Sequence, residues 1–78
     1  QTEREGAEHV AELLRKNVVN LEIPHEKSPV AEYVTISLGV ASTAEPELYV
    51  FEEILDQVDQ ALYKAKENGR NQYHSVNL

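Results

Sequence analysis

The sequence predicts an α+β fold in the order helix, strand, helix, strand. Three observations carry this. Apolar residues recur every three or four positions in two separate stretches. Bulky and small residues alternate over ten positions between them. A short closing segment holds Tyr73 and Val76. The first period is that of a helix packed on one face and the second that of a strand.

The first helix is predicted from Glu3 to Asn20. Thr2 and Glu5 have the spacing of a capping box, in which the hydroxyl and the carboxylate each satisfy a free backbone N–H. Ala7, Val10, Ala11, Leu14, Val18 and Leu21 form one apolar stripe, leaving Glu8, Glu12, Arg15 and Lys16 for solvent. A loop follows from Ile23 to Glu32, broken by Pro24 and Pro29, with room for a short edge strand over Ile23 to Glu26.

The clearest strand is predicted from Tyr33 to Ser42. Val34, Ile36, Leu38 and Val40 face one side; Thr35, Ser37, Gly39 and Ala41 face the other. The second side is small enough to admit a close neighbour, and a packed helix is a commoner neighbour than a ligand. After a connector containing Pro46, a second helix is predicted from Phe51 to Asn68, burying Phe51, Ile54, Leu55, Val58, Leu62 and Ala65. Its acidic start and basic end suit the helix dipole, and Gly69 is placed to take the left-handed conformation that ends a helix. A short strand is predicted within Gln72 to Leu78.

Two strands make a poor sheet, and three or more with a covered apolar face are normally required. The strand from Tyr33 is apolar enough to be central, so the sheet is expected to be completed by another part of a larger domain or by an oligomer partner. The 78 residues carry a net charge of −7, which disfavours general nucleic-acid binding while leaving room for a small anion held by local cations. There is no cysteine, so disulfides are excluded. No apolar run is long enough to cross a bilayer, and the opening residues do not resemble a secretion signal. The absence of an initial methionine suggests an excised or processed piece.

Candidate chemistry concentrates at the end of the second helix. Asp59, Tyr63, Lys66 and Arg70 share one flank of the helical wheel. Lys66 and Arg70 are four apart, so their cationic heads converge on one anion if the helical turn persists through Gly69. On spacing alone, complementing the helix dipole is the commoner role for such cations. Asp59 and Tyr63 read as structural. His9, His25 and His74 have no metal-ligand spacing and read as surface residues. Glu5, Glu8 and Glu12 read as a solvated face.

Two blocks carry a family resemblance. Val34-Thr35-Ile36-Ser37-Leu38-Gly39-Val40-Ala41-Ser42 resembles the central strand of GGDEF domains. Val58-Asp59-Gln60-Ala61-Leu62-Tyr63-Lys64-Ala65-Lys66-Glu67-Asn68-Gly69-Arg70-Asn71 resembles their last helix, departing from the usual pattern at Val58, where Ala is customary. The resemblance spans nearly the whole chain and marks residues 1–78 as the C-terminal half of one such domain.

It implies a palm-like, ferredoxin-like-related fold with an antiparallel-centred sheet. It also implies a cytoplasmic diguanylate cyclase that condenses two GTP into cyclic di-GMP with Mg2+, working as a homodimer or higher oligomer in bacterial signalling. Lys66 and Arg70 match family residues that contact GTP phosphates. Gly69 and Asn71 also match the family and read as shaping the turn. The Gly-Gly-Asp/Glu-Glu-Phe hairpin, the guanine-reading residues and the inhibitory Arg-x-x-Asp motif are absent from these 78 residues. The chain by itself is therefore expected to hold no catalytic or metal-binding residues, to bind Mg2+ weakly and to be inactive. The competing readings are a degenerate GGDEF domain that binds nucleotide or a protein for regulation, and a small module that oligomerises through its sheet edge.

Overall fold

The computed structural model describes residues 3–27 and 32–78. Helix α1 spans Glu3–Asn20, strand β1 Leu38–Ser42, helix α2 Phe51–Glu67 and strand β2 Tyr73–Asn77, with a single 3-10 turn at Pro46–Leu48. The predicted order is observed. The capping box assigned to Thr2 lies outside the described residues.

β1 and β2 run parallel, with Leu38 opposite Tyr73 and Ser42 opposite Asn77. Parallel neighbours require a crossover connection, and α2 supplies it. The Leu38 N–H donates to the Gln72 carbonyl at 3.0 Å, and the Leu78 N–H donates to the Ser42 carbonyl at 2.8 Å, extending the ladder at both ends. β1 is half the length predicted because its five-residue partner ends the pairing at Leu38. Upstream, the chain pairs elsewhere. The Val34 N–H donates to the Ile23 carbonyl at 2.7 Å and the His25 N–H to the Glu32 carbonyl at 3.0 Å. The edge strand expected over Ile23 to Glu26 reduces to one antiparallel bridge between Pro24 and Tyr33, since proline has no N–H to extend a ladder.

The helices take opposite faces of the sheet. Gly39 faces α2, whose backbone lies directly on it. A Cβ built there would sit 2.3 Å from the Val58 carbonyl oxygen and 2.7 Å from the Leu62 nitrogen. The small face of the strand therefore admits a helix, as its side-chain sizes predict. On the other face, Ser75, paired with Val40, donates a short hydrogen bond to Glu8 of α1.

The core is built from small residues: Ala11, Ala61 and Ala65 are the buried apolar side chains among the described residues. The inward stripe of α2 is Ile54, Gln57, Val58, Ala61, Leu62 and Ala65, with Gln57 and Ala61 in place of the predicted Phe51 and Leu55. Phe51 and Leu55, assigned to the core by sequence, are 71% and 44% exposed. Val10, Leu14 and Leu21 of the predicted α1 stripe are likewise exposed, while Ala7, Ala11 and Val18 turn inward. Two strands cover only part of each helix, so half of the predicted α1 stripe and a third of the predicted α2 stripe stay exposed. The radius of gyration, 14.2 Å, exceeds the roughly 11.5 Å of a compact domain of this length for the same reason.

Hydrogen bonds at the helix ends set the remaining geometry. The Val50 N–H donates to the Glu53 carboxylate at 3.0 Å at the start of α2. Valine has no side-chain acceptor to return the bond, so only half of a capping box forms.

Candidate functional site: the turn after helix α2

α2 ends at Glu67, with Lys64 and Lys66 in its last turn. The Arg70 N–H donates to the Ala65 carbonyl at 3.0 Å and the Gly69 N–H to the Lys66 carbonyl at 3.5 Å. These are the two bonds of a Schellman motif, with Gly69 in the position that favours glycine. Its φ is +112°, as the sequence predicts for that residue.

The chain then stays in the left-handed region. Arg70 has φ +62° and Asn71 +50°, a conformation that asparagine tolerates and arginine rarely adopts. The helical turn does not persist through Gly69, so Lys66 and Arg70 are not related by helical spacing. The backbone reversal, not a fourth helical step, decides where the Arg70 guanidinium goes.

Side chains from both sides brace the turn. The Gln72 Nε2 donates to the Asn68 carbonyl at 2.9 Å and the Arg70 carbonyl at 3.2 Å. Asn68 Nδ2 lies 3.0 Å from His74 Nε2. A hydrogen bond there has the amide donating to an unprotonated ring nitrogen, so His74 is a half-buried brace and not the surface residue predicted. From α1, Arg15 Nη1 donates to Asn71 Oδ1 at 3.1 Å, while its Nε and Nη2 donate to the two oxygens of Glu12 at 2.7 and 2.9 Å.

Glu8 and Glu12 are thus not simply solvated. Hydrogen bonds from Ser75 and then Arg4 hold the Glu8 carboxyl below the usual carboxylate range. The bonds from Arg15, with the nearby charges of Arg15 and Lys16, do the same for Glu12. Glu12 in turn raises the affinity of the Arg15 guanidinium for its proton.

Lys66, Arg70, Asp59 and Tyr63 are all exposed. Tyr63, read as a packing residue, is 63% exposed, so its ring reaches solvent as well as its hydroxyl. Lys64, Lys66 and Arg70 make a local cationic end on an acidic chain. Donors already occupy the Lys64, Ala65 and Lys66 carbonyls, which reduces the repulsion an anion would meet at a helix C-terminus. Lysine offers a point charge and arginine a planar fork, the donor pair that suits phosphate oxygens. Among the described residues, no three His, Cys, Asp or Glu side chains come together as a metal site. No helix among the described residues is long and apolar enough to cross a membrane.

Sequence reasoning placed Gly69 at the helix end but missed Arg15, Gln72 and His74 as parts of the turn. The Glu12–Arg15 pairing was visible as an i, i+3 spacing; its reach to Asn71 was not.

The family profile described as "Diguanylate cyclase, GGDEF domain" matches residues 1–72. The chain is 42% identical over 67 residues to the Probable diguanylate cyclase DgcT of Escherichia coli K12, covering 86% of this chain and 15% of that protein. It is 39% identical over 70 residues to Diguanylate cyclase A of Treponema denticola, covering 90% of this chain and 18% of that protein. The match takes in α1, β1, α2 and the braced turn alike, and with it this chain belongs to the GGDEF domain family.

Proposed function

We propose that residues 1–78 form the C-terminal portion of one GGDEF domain and that the complete domain condenses two GTP into cyclic di-GMP in the cytoplasm. Lys66 and Arg70 contact GTP phosphates. The metal-binding and guanine-reading groups come from elsewhere in the domain, and two domains meet to bring two GTP together. The observation that supports this reading most is the cationic turn itself. Lys66 and Arg70 flank a helix end whose carbonyls are already bonded, and Arg70 is held in a conformation that arginine does not choose for itself.

Each charge-assisted phosphate contact contributes about 1.5–3 kcal/mol. In the complete domain, Lys66→Ala or Arg70→Ala should therefore weaken GTP use by roughly tenfold or more. Unchanged kcat and KM for GTP in the folded double variant would exclude the phosphate role. The 78 residues alone should form no cyclic di-GMP from GTP and Mg2+, and detectable product would contradict the assignment of catalysis to the rest of the domain. A complete domain that binds GTP through these cations and yields no product would be the regulatory, non-catalytic alternative.

A further inference from the structure

We propose that Arg15 is a positioning residue for the phosphate-binding turn. From α1, it fixes Asn71 and so holds the left-handed Arg70–Asn71 pair in the geometry that presents the Arg70 guanidinium. This inference rests on the reading of Lys66 and Arg70 as phosphate contacts.

The argument starts from the backbone. Two successive non-glycine residues at φ +62° and +50° store strain, and such strain persists only where surrounding bonds over-determine it. The bonds made by Gln72, Asn68 and the Arg70 N–H all begin and end within residues 65–74 and travel with the turn. The bond from Arg15 to Asn71 comes from a different helix, 56 residues away in sequence. It anchors the turn to the opposite layer of the fold. Arginine is donor-only, so the oxygen of the Asn71 amide must face it, which fixes that side chain's orientation as well.

Arg15 is not itself arranged as a phosphate ligand. Its side chain is 19% exposed, its charge is matched by Glu12, and three of its five donors are committed. Glu12 holds the guanidinium plane with both oxygens, leaving one edge aimed at Asn71. The arrangement runs from Glu12 through Arg15 and Asn71 to Arg70. Its first three members hold the geometry, and the last meets the ligand.

The test is a double-mutant cycle in the complete domain, titrated with GTP and followed by the backbone amide signals of Lys66 and Arg70. Arg15→Ala and Asn71→Gly should each weaken the GTP response by about fivefold, and the double variant by no more than about fivefold, because both remove the same Arg15–Asn71 bond. Asn71→Gly keeps positive φ accessible, so it isolates the lost acceptor from backbone strain. Scalar couplings reporting φ at Arg70 should move in Arg15→Ala, and Arg15→Lys, which cannot form the same fork, should restore less than half of the loss. If Arg15→Ala perturbs folding, Asn71→Gly measured alone against wild type decides the matter by the same fivefold criterion. A wild-type complete domain whose Lys66 and Arg70 signals do not respond to GTP, like its Arg70→Ala variant, overturns the phosphate reading and this inference with it. A responsive wild-type domain whose Arg15→Ala variant binds equally well, or variants whose effects multiply to about 25-fold, overturns this inference alone.

Discussion

Gly39 is where one added carbon should do the most damage. Alanine there places its Cβ 2.3 Å from the Val58 carbonyl oxygen and 2.7 Å from the Leu62 nitrogen. An ordinary carbon–oxygen contact is about 3.3–3.6 Å. The shortfall is about 1 Å, and neither obstacle is a side chain that can rotate away, since both belong to the α2 backbone. Overpacking of this kind costs about 1–3 kcal/mol, and a clash against a rigid helix belongs at the upper end. Replacing a strand glycine recovers up to about 1 kcal/mol by restricting the unfolded chain. The net loss expected for Gly39→Ala is therefore about 2 kcal/mol. In a chain of this size, that lowers the thermal midpoint by about 8–16 °C. A urea titration followed by far-ultraviolet circular dichroism should show a lower midpoint with an unchanged slope. A variant as stable as wild type, or more stable, would mean that α2 does not rest on β1 as described.

Gly69→Ala offers a contrast, because its Cβ would meet nothing closer than the Gln72 Nε2 at 3.8 Å and the cost comes only from φ +112°. It should lose about 1–2 kcal/mol in the same titration, and a neutral result would place Gly69 outside the left-handed region. Acid should loosen the docking of α1. Glu8 and Glu12 are held below their unfolded values, so the unfolded chain binds more protons, and their contribution is present above about pH 4.3 and lost as pH falls through the folded values. Urea midpoints taken between about pH 6 and pH 3 should fall, and Glu8→Gln should flatten that dependence; identical profiles would refute the assignment.

Helix α1 was legible to the residue because its period is local and its length exceeds three turns. The wheel phase was less so. Sequence placed Phe51 and Leu55 in the core by hydrophobicity, whereas α2 turns its alanines toward the sheet. Gly39 lets the α2 backbone at Val58 and Leu62 come directly onto the strand, and hydrophobicity does not encode that approach. The extent of β1 was set by a partner of five residues, information carried 35 positions downstream in the pairing of Leu38 with Tyr73. At the site, Gly69 declared itself because the helix-ending conformation is nearly residue-specific. The Arg15–Asn71 bond had no local sign, since each residue is ordinary in its own surroundings and the contact exists only once both helices have docked on the sheet.

The seat of α2 and the geometry of its C-terminal turn are therefore one problem. Gly39 lies next to the first residue of β1, and its register partner is His74, which braces Asn68 at the helix end. The distance from sheet to helix set at Gly39 is thus the distance the Asn68–His74 bond must span. On the opposite face, Arg15 reaches Asn71 from α1, so the turn is held between two layers whose separation the sheet fixes. A retreat of α2 by about 1 Å would carry Asn68 and Gly69 at its end with it, and positional changes of that size at a binding constellation cost as much as about a hundredfold in rate. In the complete domain, Gly39→Ala should consequently impair GTP use under conditions where the variant remains folded. Impairment confined to conditions where it unfolds would separate the core from the site and remove the mechanical link between them.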